Sequence, residues 1–190
     1  LNPTLLFLIG LPASGKSTIG KMIASQFNFC YLDKDVVCNT FTKQLLELKG
    51  HSPDDRECAF YSDVIMNMEY KTLLDIADDN IQIGKSVVLD APFISYFSNV
   101  RYIEQLKETY DWKNVKTIVL QVHVDFPILK SRMIERAVDR DQWKLENWDT
   151  YIQLVQEKQC LWENIRIVQY CNNSVSINMQ DIQSLFISQL

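Results

Sequence analysis

Eight residues near the start of the chain, Gly10-Leu11-Pro12-Ala13-Ser14-Gly15-Lys16-Ser17, constrain the fold more tightly than any other segment. Gly10 and Gly15 permit backbone angles closed to other residues, so the amides between them can turn inward around an anion. Residues 4–9 before them are apolar, which predicts a central strand buried on both faces. Residues 16–26 after them place Ile19, Met22 and Ile23, with Phe27 following, on one side of a helix. Strand, glycine-bounded turn and a Lys-Ser pair opening a helix are the context a phosphate cradle requires. Lys16 is then expected to reach the β- and γ-phosphates of a nucleotide, and the Ser17 hydroxyl to ligate Mg²⁺. The helix N-terminus adds the positive end of its dipole. The expected ligand is a nucleoside triphosphate with Mg²⁺, taken as ATP with the choice between ATP and GTP left open, held by Gly10, Pro12, Ala13, Ser14, Gly15, Lys16, Ser17 and Thr18. Pro12 has no N–H and marks a position whose amide the cradle does not use.

The remaining pattern alternates strands with helices. Strands are expected at 29–32, 86–90, 115–124 and 175–179, and helices at 36–49, 99–110, 126–138, 148–162 and 182–190. Residues 165–170 fit either a helix end or a strand. Ser52-Pro53-Asp54-Asp55 reads as a helix start, with serine as N-cap and proline at the first position, for a helix running to about residue 79. The fold class that follows is α/β: one domain over 1–190, a three-layer α/β/α sandwich around a mainly parallel five-stranded sheet.

Composition narrows the partners. The net charge of −5 disfavours nonspecific binding to nucleic acid, which needs a basic surface. No apolar run approaches the ~20 residues that cross a bilayer, and the short run at 5–10 reads as a strand rather than a leader. The cysteines, Cys30, Cys38, Cys58, Cys160 and Cys171, form no Cys-x-x-Cys pair, and His51 and His123 lie far apart. They read as reduced thiols filling core space in a cytoplasmic protein, with little support for a structural zinc site.

Parallel α/β sheets bind ligands beyond the carboxyl ends of their strands. Asp33 and Asp35, Asp90, and Asp125 all fall there, as does His123, which reads as a satisfied buried residue. Period-two geometry would point Asp33 and Asp35 to one side, so that one accepts a proton and the other holds Mg²⁺. Either could instead cap the following helix, and the two roles are compatible. Asp90 ends an apolar strand and reads as a carboxylate for the metal or its water. Phe93 and Tyr96 after it could line a pocket or the core. Arg132, Arg136 and Arg140 recur at steps of four, which on one helix sets them near one face, suited to the charge of a moving phosphoryl group.

With these motifs the chain resembles the P-loop kinases. It is similar to shikimate and gluconate kinases, chloramphenicol phosphotransferase, zeta toxins and polynucleotide kinase domains, and most of all to a loosely defined group of predicted kinases. The resemblance implies a P-loop fold with a helical lid at about 132–147. From the Asp-x-Asp of shikimate kinase it implies Asp35 as catalytic base and Asp33 in the metal shell. From the nucleoside monophosphate kinases it implies Arg132 against the adenine and Arg136 on the phosphates, with Arg140 a further candidate. Asp90-Ala91-Pro92-Phe93 resembles the group's Asp-Ala-Thr-Phe, with Pro92 in place of the hydroxyl residue. The expected function is transfer of the γ-phosphate to a hydroxyl of a small molecule. Lys16, Asp35 and Arg136 are the catalytic residues and Ser17, Asp33 and Asp90 the metal set, with the segment holding Arg56, Tyr61 and Tyr70 facing the acceptor. A polynucleotide 5′-hydroxyl kinase and a nucleotide-binding switch without transfer chemistry are the alternatives. Oligomeric state is left open.

Overall fold

The computed structural model describes residues 2–174 and 176–187. Strand β1 (Thr4–Gly10) is buried along its whole length. Leu5, Phe7 and Ile9 face one apolar cluster and Leu6 and Leu8 another, because successive side chains leave opposite faces of a strand. Each such side chain contributes roughly 1.5–3 kcal/mol relative to exposure, which is why this strand takes the centre. β2 (Cys30–Asp33), β3 (Val87–Asp90), β4 (Lys116–His123) and β5 (Ile167–Cys171) complete a parallel sheet in the order β2-β3-β1-β4-β5. The order reverses direction on either side of β1, so the crevice at a topological switch point opens beyond its Gly10 end.

Helices cover both faces. On one lie α3 (Met66–Gln82) and α4 (Tyr102–Thr109), sealing Phe7, Tyr70, Phe93, Trp112 and Trp162. On the other lie α1 (Lys16–Phe27) and α8 (Met179–Ile187), through Ile19, Ile23 and Ile182. Between them α2 (Lys34–Leu48) follows β2. After β4 come α5 (Phe126–Arg136), a 3₁₀ turn (Asp139–Asp141), α6 (Gln142–Glu146) and α7 (Trp148–Gln156). A third cluster of Leu129, Met133 and Tyr151, with Trp148 packed against it, joins these helices to Leu11 and Ala13 of the glycine-rich turn.

Several expectations are corrected. No helix starts at Ser52: residues 53–58 form turns and bends, and the chain enters α3 through a π-helical turn (Tyr61–Ile65). Asp55 takes the capping work locally, accepting from the amides of Glu57 and Cys58. The fifth strand is Ile167–Cys171 rather than 175–179; Val175 lies outside the described residues, and its described neighbours form no strand. The hydrogen-bonded register with β4, Val119 to Ile167 through His123 to Cys171, decides between the two short apolar runs. The helix expected over 148–162 ends at Gln156, and Trp162 instead enters the core. The closing helix begins at Met179, and the final part of the expected 182–190 span lies outside the described residues. No described helix is long and apolar enough to cross a membrane.

Candidate active site

The turn after β1 has the geometry that its glycines predict. Gly10 and Gly15 have φ of 140° and 92°. A Cβ on Gly10 would stand 2.4 Å from the Val122 carbonyl oxygen, and one on Gly15 would stand 2.3 Å from the Asn172 amide nitrogen. Ala13 also takes a positive φ, 63°, while the Ser14 amide closes the turn onto the Leu11 carbonyl at 3.2 Å. Helix α1 has no side-chain cap, so its first amides are left for a ligand rather than for the protein. The Ser14 hydroxyl is buried with no hydrogen-bond partner among the described residues, and Asn172 braces the turn, donating to the Ser14 carbonyl at 2.8 Å.

This turn floors a cavity of about 680 Å³. Pro12, Ala13, Gly15, Lys16, Ser17 and Thr18 line it, with Asp33 and Asp35 from the β2–α2 junction, Asp90 from β3, and Arg132, Arg136 and Arg140 from the segment after β4. Gly10 and Ser14 stand behind the lining. Asp125 is exposed at the start of α5, outside the lining, and its amide donates to Asn173 Oδ1 at 2.9 Å.

The acids do not converge by strand periodicity. Asp33 ends β2, whereas Asp35 lies in the first turn of α2. Asp33 caps that helix, its Oδ1 accepting from the amides of Asp35 at 2.9 Å and Val36 at 3.3 Å. Oδ2 remains on the cavity side, 3.4 Å from the Tyr31 hydroxyl. Asp35, 42% exposed at its side chain, meets Arg140 Nη1 at 2.5 Å and Lys34 Nζ at 3.6 Å. Burial alone would raise its carboxyl, but Lys34 and Arg140 hold it below its ordinary value, so it is ionised. Asp90 is buried and accepts from the Tyr31 hydroxyl at 2.6 Å. Burial pushes its carboxyl up, against Lys16 and the hydrogen bonds of Tyr31 and Ser17. Burial lowers the Lys16 ammonium against the pull of Asp90 and Asp35, and its Nζ donates to the Leu11 carbonyl at 2.8 Å.

Arg132 and Arg136 lie four residues apart on α5 and both line the cavity, as the step of four predicts. Arg140 does not continue the row: α5 gives way at Ala137, which takes φ of 47°, and Arg140 follows on the 3₁₀ turn. The fold of the chain after Ala137, not the four-residue period, returns Arg140 to the cavity. Arg132 donates to the carbonyls of Ser14 at 3.5 Å and Ser174 at 3.1 Å, at the edge of the turn. Arg136 is ion-paired through Nε to buried Asp141 at 2.5 Å. Lys144 of α6 also lines the cavity and meets Glu57, another lining residue, with Nζ 3.3 Å from its carboxylate. Trp143 lines the cavity, and Trp148 packs with Tyr151.

Arg56, Tyr61 and Tyr70 line the same cavity. Phe93 does not: it is fully buried, and Ala91, Pro92, Ile94 and Ser95 form that part of the lining. Tyr96 lies outside the lining too and bonds to Asn67. His123 is exposed rather than buried and pairs with Gln169. Behind the wall is a network that the linear reading missed. Buried Lys34 is ion-paired with buried Glu69, which also accepts from Thr42 at 2.5 Å and Tyr61 at 3.0 Å. Burial works against the Lys34 charge, yet Glu69, Tyr70 and Asp35 together hold its ammonium above the ordinary value. A signal for Glu69 existed: it is four residues from both Ile65 and Leu73, which are fully buried on the same helical stripe. Asn172 had none, because it meets Ser14 only through the β4–β5 register.

A glycine-bounded turn between the central strand and first helix of a parallel sheet, opening on acids and arginines, is the arrangement of the P-loop kinases, and this chain is one of them. A family model described as AAA domain matches residues 5–157, and the chain belongs to that family. It is 30% identical to a shikimate kinase of Francisella tularensis subsp. holarctica over 144 residues, 69% of this chain and 76% of that protein. In fold it is similar to a candidate kinase from Chloroflexus aurantiacus J-10-fl, with a TM-score of 0.70, 20% identity and complete coverage of both chains. An unliganded sugar kinase from Janibacter sp. HTCC2649 superposes with a TM-score of 0.61 at 13% identity, covering 98% of this chain and 94% of that one.

Proposed function

We propose that this kinase transfers the γ-phosphoryl group of MgATP to a hydroxyl of a small acceptor. The observation that carries the proposal is the opening of the Lys16 ammonium and the Asp35 carboxylate onto one cavity, from consecutive strand-to-helix junctions of the sheet. The amides from Ala13 to Thr18 and Lys16 hold the β- and γ-phosphates, and Gly10 lets the turn pass β4. Arg132 lies at the edge of the turn where a base would rest. The candidate metal donors, the Ser17 hydroxyl and the Asp33 and Asp90 carboxylates, are all hard oxygens, which suits Mg²⁺. Mg²⁺ held by these residues would neutralise negative charge on the β- and γ-phosphates.

Asp35 orients the acceptor hydroxyl and takes its proton as the oxygen attacks the γ-phosphorus. Arg136 and Arg140 offset the charge spread over the phosphoryl oxygens. Arg140 competes with the acceptor for Asp35, so acceptor binding releases this arginine toward the phosphate. The segment from Arg56 to Tyr70 forms the acceptor side, and residues 132–147 act as the lid of a single kinase domain. The free thiols suit a reducing, cytoplasmic setting. A polynucleotide 5′ end is the less favoured acceptor, since the chain is acidic and the matched relative is named for a small-molecule substrate.

Acceptor-dependent ADP release, screened over hydroxylated metabolites, nucleosides, antibiotics and oligonucleotides, tests this reading. Asp35→Asn is expected to abolish transfer to the acceptor so found while leaving the calorimetric heat of MgATP binding in place. Undiminished transfer in that variant would remove Asp35 as base.

A further inference from the structure

The loop between α2 and the π-helical turn carries three side chains that take no part in lining the cavity. His51, Asp55 and Cys58 each offer one ligand atom, and these atoms all lie within 4.8 Å of one another. His51 Nδ1 is 3.5 Å from Asp55 Oδ2. The arrangement is held from outside the group. Asp55 Oδ1 accepts from the amides of Glu57 and Cys58, each at 3.1 Å, which leaves Oδ2 to face the imidazole. The His51 ring lies parallel to Phe60, centroids 6.4 Å apart, and its backbone amide donates to the Leu46 carbonyl at 3.0 Å. Cys30 and Cys160 pack against the apolar core, whereas the half-buried Cys58 lies outside it, with Sγ making only a weak contact to the Asp55 carbonyl at 3.7 Å.

We propose that His51, Asp55 and Cys58 bind a divalent cation of the zinc class. Zinc takes imidazole nitrogen, carboxylate oxygen and thiolate sulfur at about 2.0–2.3 Å, so tetrahedral donors stand about 3.3–3.8 Å apart. From atoms within 4.8 Å of one another, closing to that spacing requires movements of about 1 Å. Three protein ligands leave the fourth position to water. Sulfur and imidazole select against Mg²⁺, which prefers oxygen, so the loop and the P-loop sort the two kinds of cation between them. The spacing His-x₃-Asp-x₂-Cys mixes three ligand types, and a search for paired cysteines passes over it. The site also has a consequence for the cavity. Arg56 and Glu57, between the second and third ligands, line the cavity, and Glu57 meets Lys144 of the lid. A cation held by the ligands on either side tethers that part of the wall.

The full chain, freed of metal, is titrated with Co²⁺ as a spectroscopic stand-in for Zn²⁺. A thiolate-to-cobalt charge-transfer band with tetrahedral ligand-field bands is expected at one equivalent, bleached by added Zn²⁺. Cys58→Ser, nearly isosteric on a surface loop, is expected to remove the charge-transfer band. His51→Ala should weaken Co²⁺ binding by at least about tenfold, the lower end of what even outer-shell changes cost. Far-UV circular dichroism checks that both variants fold, and Lys16→Ala should keep the band. No thiolate band in the wild-type chain, a band undiminished in Cys58→Ser, or its loss in Lys16→Ala would overturn the assignment.

Discussion

Lys16 and Asp35 carry opposite charges into one cavity, yet their surroundings treat them differently. Lys16 is buried, with its ammonium lowered by desolvation and turned onto the Leu11 carbonyl. An incoming triphosphate replaces that single neutral acceptor with anionic oxygens. Lys16→Ala is therefore expected to weaken MgATP binding and to lower kcat by roughly 10²–10³, the scale of losing one aimed donor; calorimetry and steady-state kinetics measure the two effects separately. Asp35 is half-exposed, and its carboxyl is held low by Lys34 and Arg140 against its burial. With Asp35 as the proposed base, its protonation in the free enzyme is expected to set an acid limb of kcat/KM lying below the ordinary aspartate range. Removing Arg140 takes away one of the cations that depress it, so in Arg140→Ala the limb moves to higher pH. The same sign holds for stability: a depressed carboxyl contributes above its unfolded pKa and loses that contribution as pH falls through the folded one. A limb that stays in place, with kcat/KM followed across acid pH, would show that Arg140 does not tune Asp35.

Among the elements, the junctions rather than the interiors set the site. Asp33 ends a strand and caps the next helix, so it fixes where Asp35 points. Asp33→Ala should cost about 1 kcal/mol of folding stability through the lost cap, read from denaturant midpoints at constant slope. Strands β1, β3 and β4 were legible because uninterrupted apolar runs bounded by turn residues have few other uses. The helix start proposed at Ser52 was not, since a local Ser-Pro-Asp signal is worth only about 1 kcal/mol and the chain's packing outweighs it. Helix α5 reads as continuous to Val138, but Ala137 adopts a left-handed conformation and redirects Arg140. Such a break carries no glycine or proline signal in the sequence.

Across the whole molecule, the Lys34–Glu69 pair ties the β2–α2 junction, with Asp35 beside it, to α3. Removing one partner strands the other charge in the interior, so Glu69→Leu is expected to destabilise the fold by roughly 3–5 kcal/mol. A change of less than about 1 kcal/mol in equilibrium unfolding would mean that Lys34 finds water or Asp35 instead. The residues of the chain determine by themselves the phosphate turn, the alternation of strand and helix, and the acids at strand ends, because each depends on backbone angles or periodicity within a few neighbours. Only the tertiary structure decides the identity of the fifth strand, the bracing of Ser14 by Asn172, the burial of Phe93 and the pairing of Arg140 with Asp35. These link residues far apart in the chain, and their energies exist only once the sheet has brought the partners together.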